Sequence, residues 1–396
     1  MSGRPLAALD LSDSAFLEDP YPTLAAARKA GPVGWHEPTG MWLVTRHRGC
    51  SAVLRERRFG RIWRDKEPAA RLEPFNLLHR NQMMENEPPH HTRLRRKVAA
   101  AFARGHVERM RPRVRAIGAA LLGEVRDQPF DALADFAEPL PVLVISELLG
   151  APATDVSHLR SWSQAIVKMY EPSVPSHVED DAIQAADAFA AYMRLLVDER
   201  RSSPKADLLS DLVRAQSGED GLTDDEVLAS AILLLNAGHE ASVNVFGNGL
   251  VALLGHRDQW RRLATDGVPA ATAVEEMLRF DSALQLFERT ATADVEVEGW
   301  LVRRGERVAV LLGSANRDEA VFPAADSLDV MREPNPHLAF GAGLHFCLGA
   351  PLARMELEES LRLLVDACPR LVLSHEPNRR STFVLRGYES VPVAST

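Results

Sequence analysis

The chain has 396 residues, enough to bury a sizeable core, and its 46% apolar and 26% charged residues exclude a disordered or collagenous polypeptide. With 46 basic and 55 acidic side chains the formal net charge is −9, which is not the footprint of a nucleic-acid binder. Three cysteines, Cys50, Cys347 and Cys368, are too few and odd in number for a disulfide-built scaffold, and they leave one thiol open to a chemical task.

In chain order, the opening MSGRPLAALDLSDSAF has no basic stretch, apolar run or cleavage site of an export signal, so a cytoplasmic location is expected. Periodicity predicts helices over Tyr21 to Ala30 and Arg48 to Arg57, with a strand at Met41 to Thr45 between them. Helices predicted over His91 to Phe102 and Val107 to Val125 carry Arg93, Arg95, Arg96, Lys97, Arg104, Arg109, Arg111, Arg113 and Arg115 against one acid, Glu108. Such a face suits an acidic protein partner, and an ordinary solvated arginine-rich surface fits the composition equally well.

Further helices are predicted over Leu140 to Leu149, Val178 to Arg200, Asp224 to Gly255, Ala270 to Phe280 and Leu352 to Ala367. Short strands are predicted at Asp294 to Val297, Arg307 to Leu312 and Phe383 to Leu385. The class is therefore mainly α, with small sheets at the margin. The longest helix opens on a capping box, Thr223 and Glu226, and about 30 residues at ~1.5 Å each give it a reach of ~45 Å. Asn236, His239, Glu240, Asn244 and Asn248 interrupt its apolar run, and a carboxylate there argues against a membrane span and for a buried central helix.

Three partial motifs fail on geometry. His239-Glu240 lacks the second histidine of a zinc-protease helix, since Val243 stands in its place. The run from Gly247 to Ala252 fits a dinucleotide-binding pattern but lies inside a helix with no strand before it. Neighbours His90 and His91 would point in different directions on a helix.

The segment Phe340-Gly341-Ala342-Gly343-Leu344-His345-Phe346-Cys347-Leu348-Gly349 is the strongest signal. Its glycines permit a tight turn and close backbone approach, and a helix is predicted just after it, with Pro351 tolerated in the first turn. A thiol at a helix N-terminus is stabilised as thiolate, which suits a metal ligand or a nucleophile.

This segment resembles the haem-binding loop of the cytochrome P450 family, FGxGxHxCxG, at every fixed position: Phe340, Gly341, Gly343, His345, Cys347 and Gly349. Glu276 to Arg279 resembles the family's ExxR pair, Glu87 to Arg95 its DPPxHTxxR segment, Asn236 to Glu240 the start of its oxygen-binding helix motif, and Asn316 to Asp318 its NRD segment. The likeness spans residues 20 to 390 and implies one haem-thiolate domain over 21–396 behind an N-terminal segment 1–20. It also implies a haem lying between the long helix and the cysteine loop.

The resemblance implies non-covalent haem b, in keeping with the lack of a CxxCH motif, with Cys347 as axial thiolate ligand favouring O–O cleavage. It gives the propionates to His91, Arg95, Arg289 and His345 as charge-assisted donors, and places Ala237 beside the cofactor. It makes Glu276 and Arg279 a structural pair reaching the loop near Arg332.

The family's long-helix motif continues acid-alcohol, and the alcohol takes part in proton delivery; here Glu240 is followed by Ala241, with a hydroxyl only at Ser242, about 100° further round the helix. Proton delivery then falls to Glu240, ordered water or a substrate hydroxyl, or the chemistry is radical coupling or desaturation; neutral drift is the alternative. The resemblance sketches a mostly apolar pocket from the loop Phe59 to Glu87, the helix around Leu233 to Ala241, the stretch Leu284 to Phe287, the region Ser163 to Val178 and the turn near Phe383, with Phe75, Leu78, Met83, Met84, Leu234, Ala237, Leu284 and Phe287 as wall candidates. Plain core packing suits any one of them equally.

The implied activity is O2-dependent oxidation of a medium or large lipophilic molecule in bacterial secondary metabolism. Electrons would come from NAD(P)H through a ferredoxin and its reductase. No nucleic acid and no membrane anchor is expected. A reductase-independent peroxygenase or isomerase, and a non-catalytic haem sensor, are the competing readings.

Overall fold

The computed structural model describes residues 9–99, 104–171 and 174–395, with side chains described throughout except at 104–106. The chain forms two compact units.

One unit takes residues 1–60, 115–137 and 241–396. Its five-stranded sheet has the order Val33–His36, Met41–Val44, Arg307–Leu311, Leu286–Ala291, Phe59–Gly60. Met41–Val44 runs parallel to Arg307–Leu311, with Met41 opposite Arg307 and Val44 opposite Val310; the other pairings are antiparallel. Val44, Val308 and Val310 join Cys50 and Val53 of the helix His47–Arg55 in one buried cluster. A second cluster lies around Phe246, Trp260, Met277 and Leu361, from the helices Asp224–Gly255, Arg257–Thr265, Ala270–Phe280 and Ala350–Ala367.

The other unit takes residues 61–114 and 138–240. It is helical, with Ala69–Arg80, His90–Ala99, Pro139–Leu149, Val156–Val167, Ser176–Ser202 and Leu208–Arg214. Small buried residues on one stripe of Ser176–Ser202, Ala182, Ala186 and Ala190, flank Phe189, whose ring lies 5.5 Å from that of Trp162 on Val156–Val167. Two long helices, Arg104–Val125 and Asp224–Gly255, contribute residues to both units.

Helices at Tyr21–Ala30, Asp224–Gly255 and Ala270–Phe280 have the predicted bounds. The capping box forms: the Thr223 N–H donates to Glu226 Oε2 at 2.9 Å and the Glu226 N–H to Thr223 Oγ1 at 3.2 Å. Of the helix predicted over His91 to Phe102, residues 100–102 lie outside the described residues, and it starts at His90.

Two expectations are corrected. Phe383 to Leu385 is not a strand: its pairing stops at a single bridge between Leu385 and Leu284, with the Gln285 N–H donating to the Val384 carbonyl at 3.0 Å. The stretch Phe59 to Glu87 is not all loop: Ala69–Arg80 is a helix that contains Pro74, and it buries Leu72, Phe75, Asn76, Leu78 and His79. Tertiary packing there outweighs the hydrogen bond that a proline removes. Among the described residues, no helix is long and apolar enough to cross a membrane.

Candidate active site

In the loop before Ala350–Ala367 the backbone is set by glycine. Gly341 and Gly343 have φ of 69° and 70°, and a Cβ on Gly343 would fall 2.3 Å from the Leu54 carbonyl oxygen. The turn closes with the Gly341 N–H donating to the Leu338 carbonyl at 2.8 Å and the Cys347 N–H to the Phe340 carbonyl at 3.0 Å. The helix then begins with Pro351 in its first turn and an Ala353 N–H bond to the Gly349 carbonyl at 2.9 Å. Cys347 thus stands just ahead of an 18-residue helix, half-buried, where unpaired amides favour a thiolate. A Cβ at Gly349 would lie 4.0 Å from Cys347 Sγ, an ordinary contact distance.

The other two thiols are inert by comparison. Cys50 is buried and donates to the Val44 carbonyl at 3.2 Å; burial pushes its thiol pKa up, and that of buried Cys368 likewise.

Behind the loop, Arg354 stacks 4.5 Å from the Phe340 ring and pairs with Glu275 at 2.6 Å, while His337 Nε2 lies 3.0 Å from the same carboxylate. Burial alone would raise the Glu275 carboxyl, but these two partners outweigh it and hold it at about 2.

Glu276 and Arg279 pair at 2.7 Å, both fully buried, and Arg332 reaches Glu276 at 3.1 Å. Arg279 also donates to the carbonyls of Asn316, Ala325 and Ser327, so the predicted pair pins three points of one long connection, residues 316–342. Arg289 is buried on its strand, donates to the Glu288 carbonyl at 2.9 Å and lies 4.5 Å over the Phe287 ring.

On the long helix, every residue from Glu226 to Leu250 is buried except Ala237, Gly238 and Ala241. Ala237 and Ala241 are four apart and share a face, so the polar break presents small residues on one side. Glu240 and Ser242 are buried, with Glu240 Oε1 3.4 Å from His239 Nε2; the Ser242 hydroxyl leaves the helix away from the Ala241 face.

His91 is buried and Arg95 half-buried on the helix His90–Ala99. That helix is anchored by Arg93, which pairs with Glu226 and donates to the Gly221 carbonyl at 3.1 Å. His345 is half-buried in the cysteine loop. Within the loop's own unit, a half-buried thiol at a helix start and a buried arginine on the strand Leu286–Ala291 are a donor set that fits a non-covalent haem.

Within the helical unit, a small cleft is lined by Leu78, His79, Gln82, Tyr170, Ala229, Ile232, Leu233 and Asn236. Of the expected wall residues only Leu78 lines it. Phe75, Met83 and Leu234 are buried in the same unit, Met84 is half-buried and Ala237 exposed. Leu284 and Phe287 pack against the sheet cluster of the other unit. The expected pocket stretches contain His79, Gln82, Tyr170 and Asn236, but none of these side chains is among the expected wall residues; polar residues three apart at 79 and 82, on one face of the helix Ala69–Arg80 and its end, are the signal that an apolar wall overlooks.

The basic run is less uniform than composition implies. Arg96 pairs with Asp220 at 3.4 Å, Arg111 with Glu108 and Arg113 with Glu147 at 2.8 Å each, and Arg115 with Glu359 at 2.7 Å. Arg109 is exposed, and the Arg104 side chain lies outside the described residues.

A family profile described as Cytochrome P450 matches residues 270–381. The sequence is 39% identical to cytochrome P450 monooxygenase PikC of Streptomyces venezuelae, over 96% of this chain and 91% of that protein. It is 41% identical to nocardicin C N-oxygenase of Nocardia uniformis subsp. tsuyamanensis, over 89% of each. Among solved structures, P450BioI in complex with hexadec-9Z-enoic acid ligated acyl carrier protein matches with a TM-score of 0.92 at 32% identity, over 96% of this chain and 100% of that one.

Proposed function

Because this chain belongs to the cytochrome P450 family, we propose that it oxidises a medium or large lipophilic molecule in a tailoring step of bacterial secondary metabolism. It is a monooxygenase-type enzyme with non-covalent haem b, using O2 and electrons from NAD(P)H delivered by redox partners. The relatives' names support the reaction class, PikC as a monooxygenase and the nocardicin enzyme as an N-oxygenase.

The observation that carries the reading is the half-buried Cys347 thiol ahead of Ala350–Ala367. Haem bound there supplies the activation of O2. The chain's own residues hold it: Cys347 through sulfur, Phe340, Gly341, Gly343 and Gly349 by shaping the loop, and His91, Arg95, Arg289 and His345 by donating to the propionates. Ala237 keeps the helix face flat. In this reading both units serve one catalytic domain, residues 21–396. Carbon monoxide difference spectra of the reduced holoenzyme test it: the parent gives a thiolate-type band and Cys347→Ser loses it, whereas an unchanged band in the variant overturns the assignment.

Ala241 removes a hydroxyl from the helix face, and buried Ser242 does not restore it. Proton delivery then rests on Glu240, ordered water or a substrate hydroxyl, or the product forms by coupling or desaturation. Ala241→Thr is expected to change NADPH coupling or product ratio several-fold; identical turnover, coupling and products would remove any mechanistic weight from position 241. The electron donor is a ferredoxin with its reductase, docking through the exposed part of the basic run. Arg109→Glu should slow reduction more at low salt than at high salt, and a salt-independent rate argues against this face.

A further inference from the structure

The cleft in the helical unit is polar where an apolar wall is expected. His79, Gln82 and Asn236 are 2%, 3% and 5% exposed, and His79 Nε2, Gln82 Oε1 and Asn236 Oδ1 each lack a hydrogen-bond partner. Buried polar atoms are rarely left unpaired, and three around one open space call for a polar visitor.

The His79 ring is held in one orientation. Its Nδ1 lies 2.9 Å from the Phe75 carbonyl, which can only accept, so Nδ1 carries the proton and Nε2 is an acceptor. Phe75 and Trp63 stack on the ring at 4.0 and 4.9 Å between centroids. Burial pulls the imidazole pKa down to about 4, which keeps it neutral. The side-chain amides of Gln82 and Asn236 present a donor or an acceptor by rotating.

The charges felt at His79 are Glu85, Lys66 and Arg61, and Arg61 pairs with Glu85. Lys66 is therefore the charge left over, and it disfavours an ammonium group. The cleft has room for about 10 Å³, one water-sized group, so it takes a hydroxyl and not the body of a molecule.

We propose that this cleft anchors a hydroxyl group of an otherwise apolar substrate, the O–H donating to His79 Nε2 and its oxygen accepting from the Gln82 or Asn236 amide. His79 is here a specificity-determining residue. The inference rests on the reading of the chain as an oxidase of small molecules.

Decan-1-ol and its methyl ether test it on the holoenzyme, with binding followed by equilibrium dialysis and by the Soret shift. The parent should hold the alcohol about tenfold tighter than the ether. His79→Phe, which keeps the ring stack, should weaken the alcohol about tenfold and leave the ether within about twofold. Gln82→Leu and Asn236→Leu should each shift the alcohol in the same direction, and they decide the matter if His79→Phe fails to fold. Equal affinity for alcohol and ether in the parent, or equal change for both in the variants, overturns the anchor and leaves a cleft that holds only water. The carbon monoxide band separates the two readings. An intact band without alcohol preference refutes the anchor alone, while a parent without the band refutes the haem-thiolate reading.

Discussion

Glu276 and His79 are both buried, but they sit in opposite kinds of polar surroundings. Glu276 accepts from Arg279, Arg332, Asn335 and the Asp329 amide, and Arg279 uses its other N–H groups on three loop carbonyls. His79 Nε2, with Gln82 Oε1 and Asn236 Oδ1 around the same cleft, has no partner at all. A satisfied buried network rigidifies the backbone it touches; an unsatisfied one beside open space costs stability until something fills it. The first arrangement serves the fold behind the cysteine loop, and the second serves a ligand.

The contrast is broken most severely by Arg279→Ala. It leaves the Glu276 carboxylate buried with Arg332 as its remaining cation, and should cost about 3–5 kcal/mol in urea unfolding at pH 7. A loss below about 1 kcal/mol would mean that the cluster does not hold the 316–342 connection. Glu356 is an intermediate case, since it is buried in the unit of the satisfied cluster yet has an unpaired Oε2, and burial pushes its carboxyl up to about 8. The folded chain therefore binds one more proton than the unfolded chain between pH ~4.5 and ~8, and stability falls as pH rises through that window. Glu356→Gln should flatten the fall, adding about 2–4 kcal/mol at pH 8 and little below pH 5; parallel pH profiles for variant and parent would show that the carboxyl is ionised in the fold. The smallest effect is expected of Asn236→Leu. Replacing an amide whose oxygen has no partner by a side chain of similar size should leave stability within about 1 kcal/mol of the parent or raise it, although alcohol binding weakens. A loss above about 2 kcal/mol would place Asn236 with the satisfied groups.

Much of the cysteine-loop unit was legible in the residues themselves. Gly341 and Gly343 announced a turn that only a residue without a Cβ can make, and the structure gives both positive φ. Thr223 and Glu226, three apart, announced a helix start that forms with both reciprocal bonds. Glu276 and Arg279 share a helix face by spacing alone, and the resemblance to the cytochrome P450 family supplied the link to Arg332.

The helical unit was harder to read. Pro74 signals a break, yet Ala69–Arg80 is helical because its buried face outweighs the lost bond. The partners of the basic run, Glu226, Glu147 and Glu359, lie 133, 34 and 244 residues away along the chain. No local pattern reports such distances.

Features that depend on neighbours along the chain are written in the residues: the glycine turn, the cap, the helix periods and the single thiol placed ahead of a helix. Folding fixes the rest: which face of Ala69–Arg80 is buried, which arginines are neutralised, and that His79, Gln82 and Asn236 meet around one cleft. Burial and hydrogen-bond satisfaction are set by contacts between segments far apart in sequence, and those contacts exist only once the chain has folded.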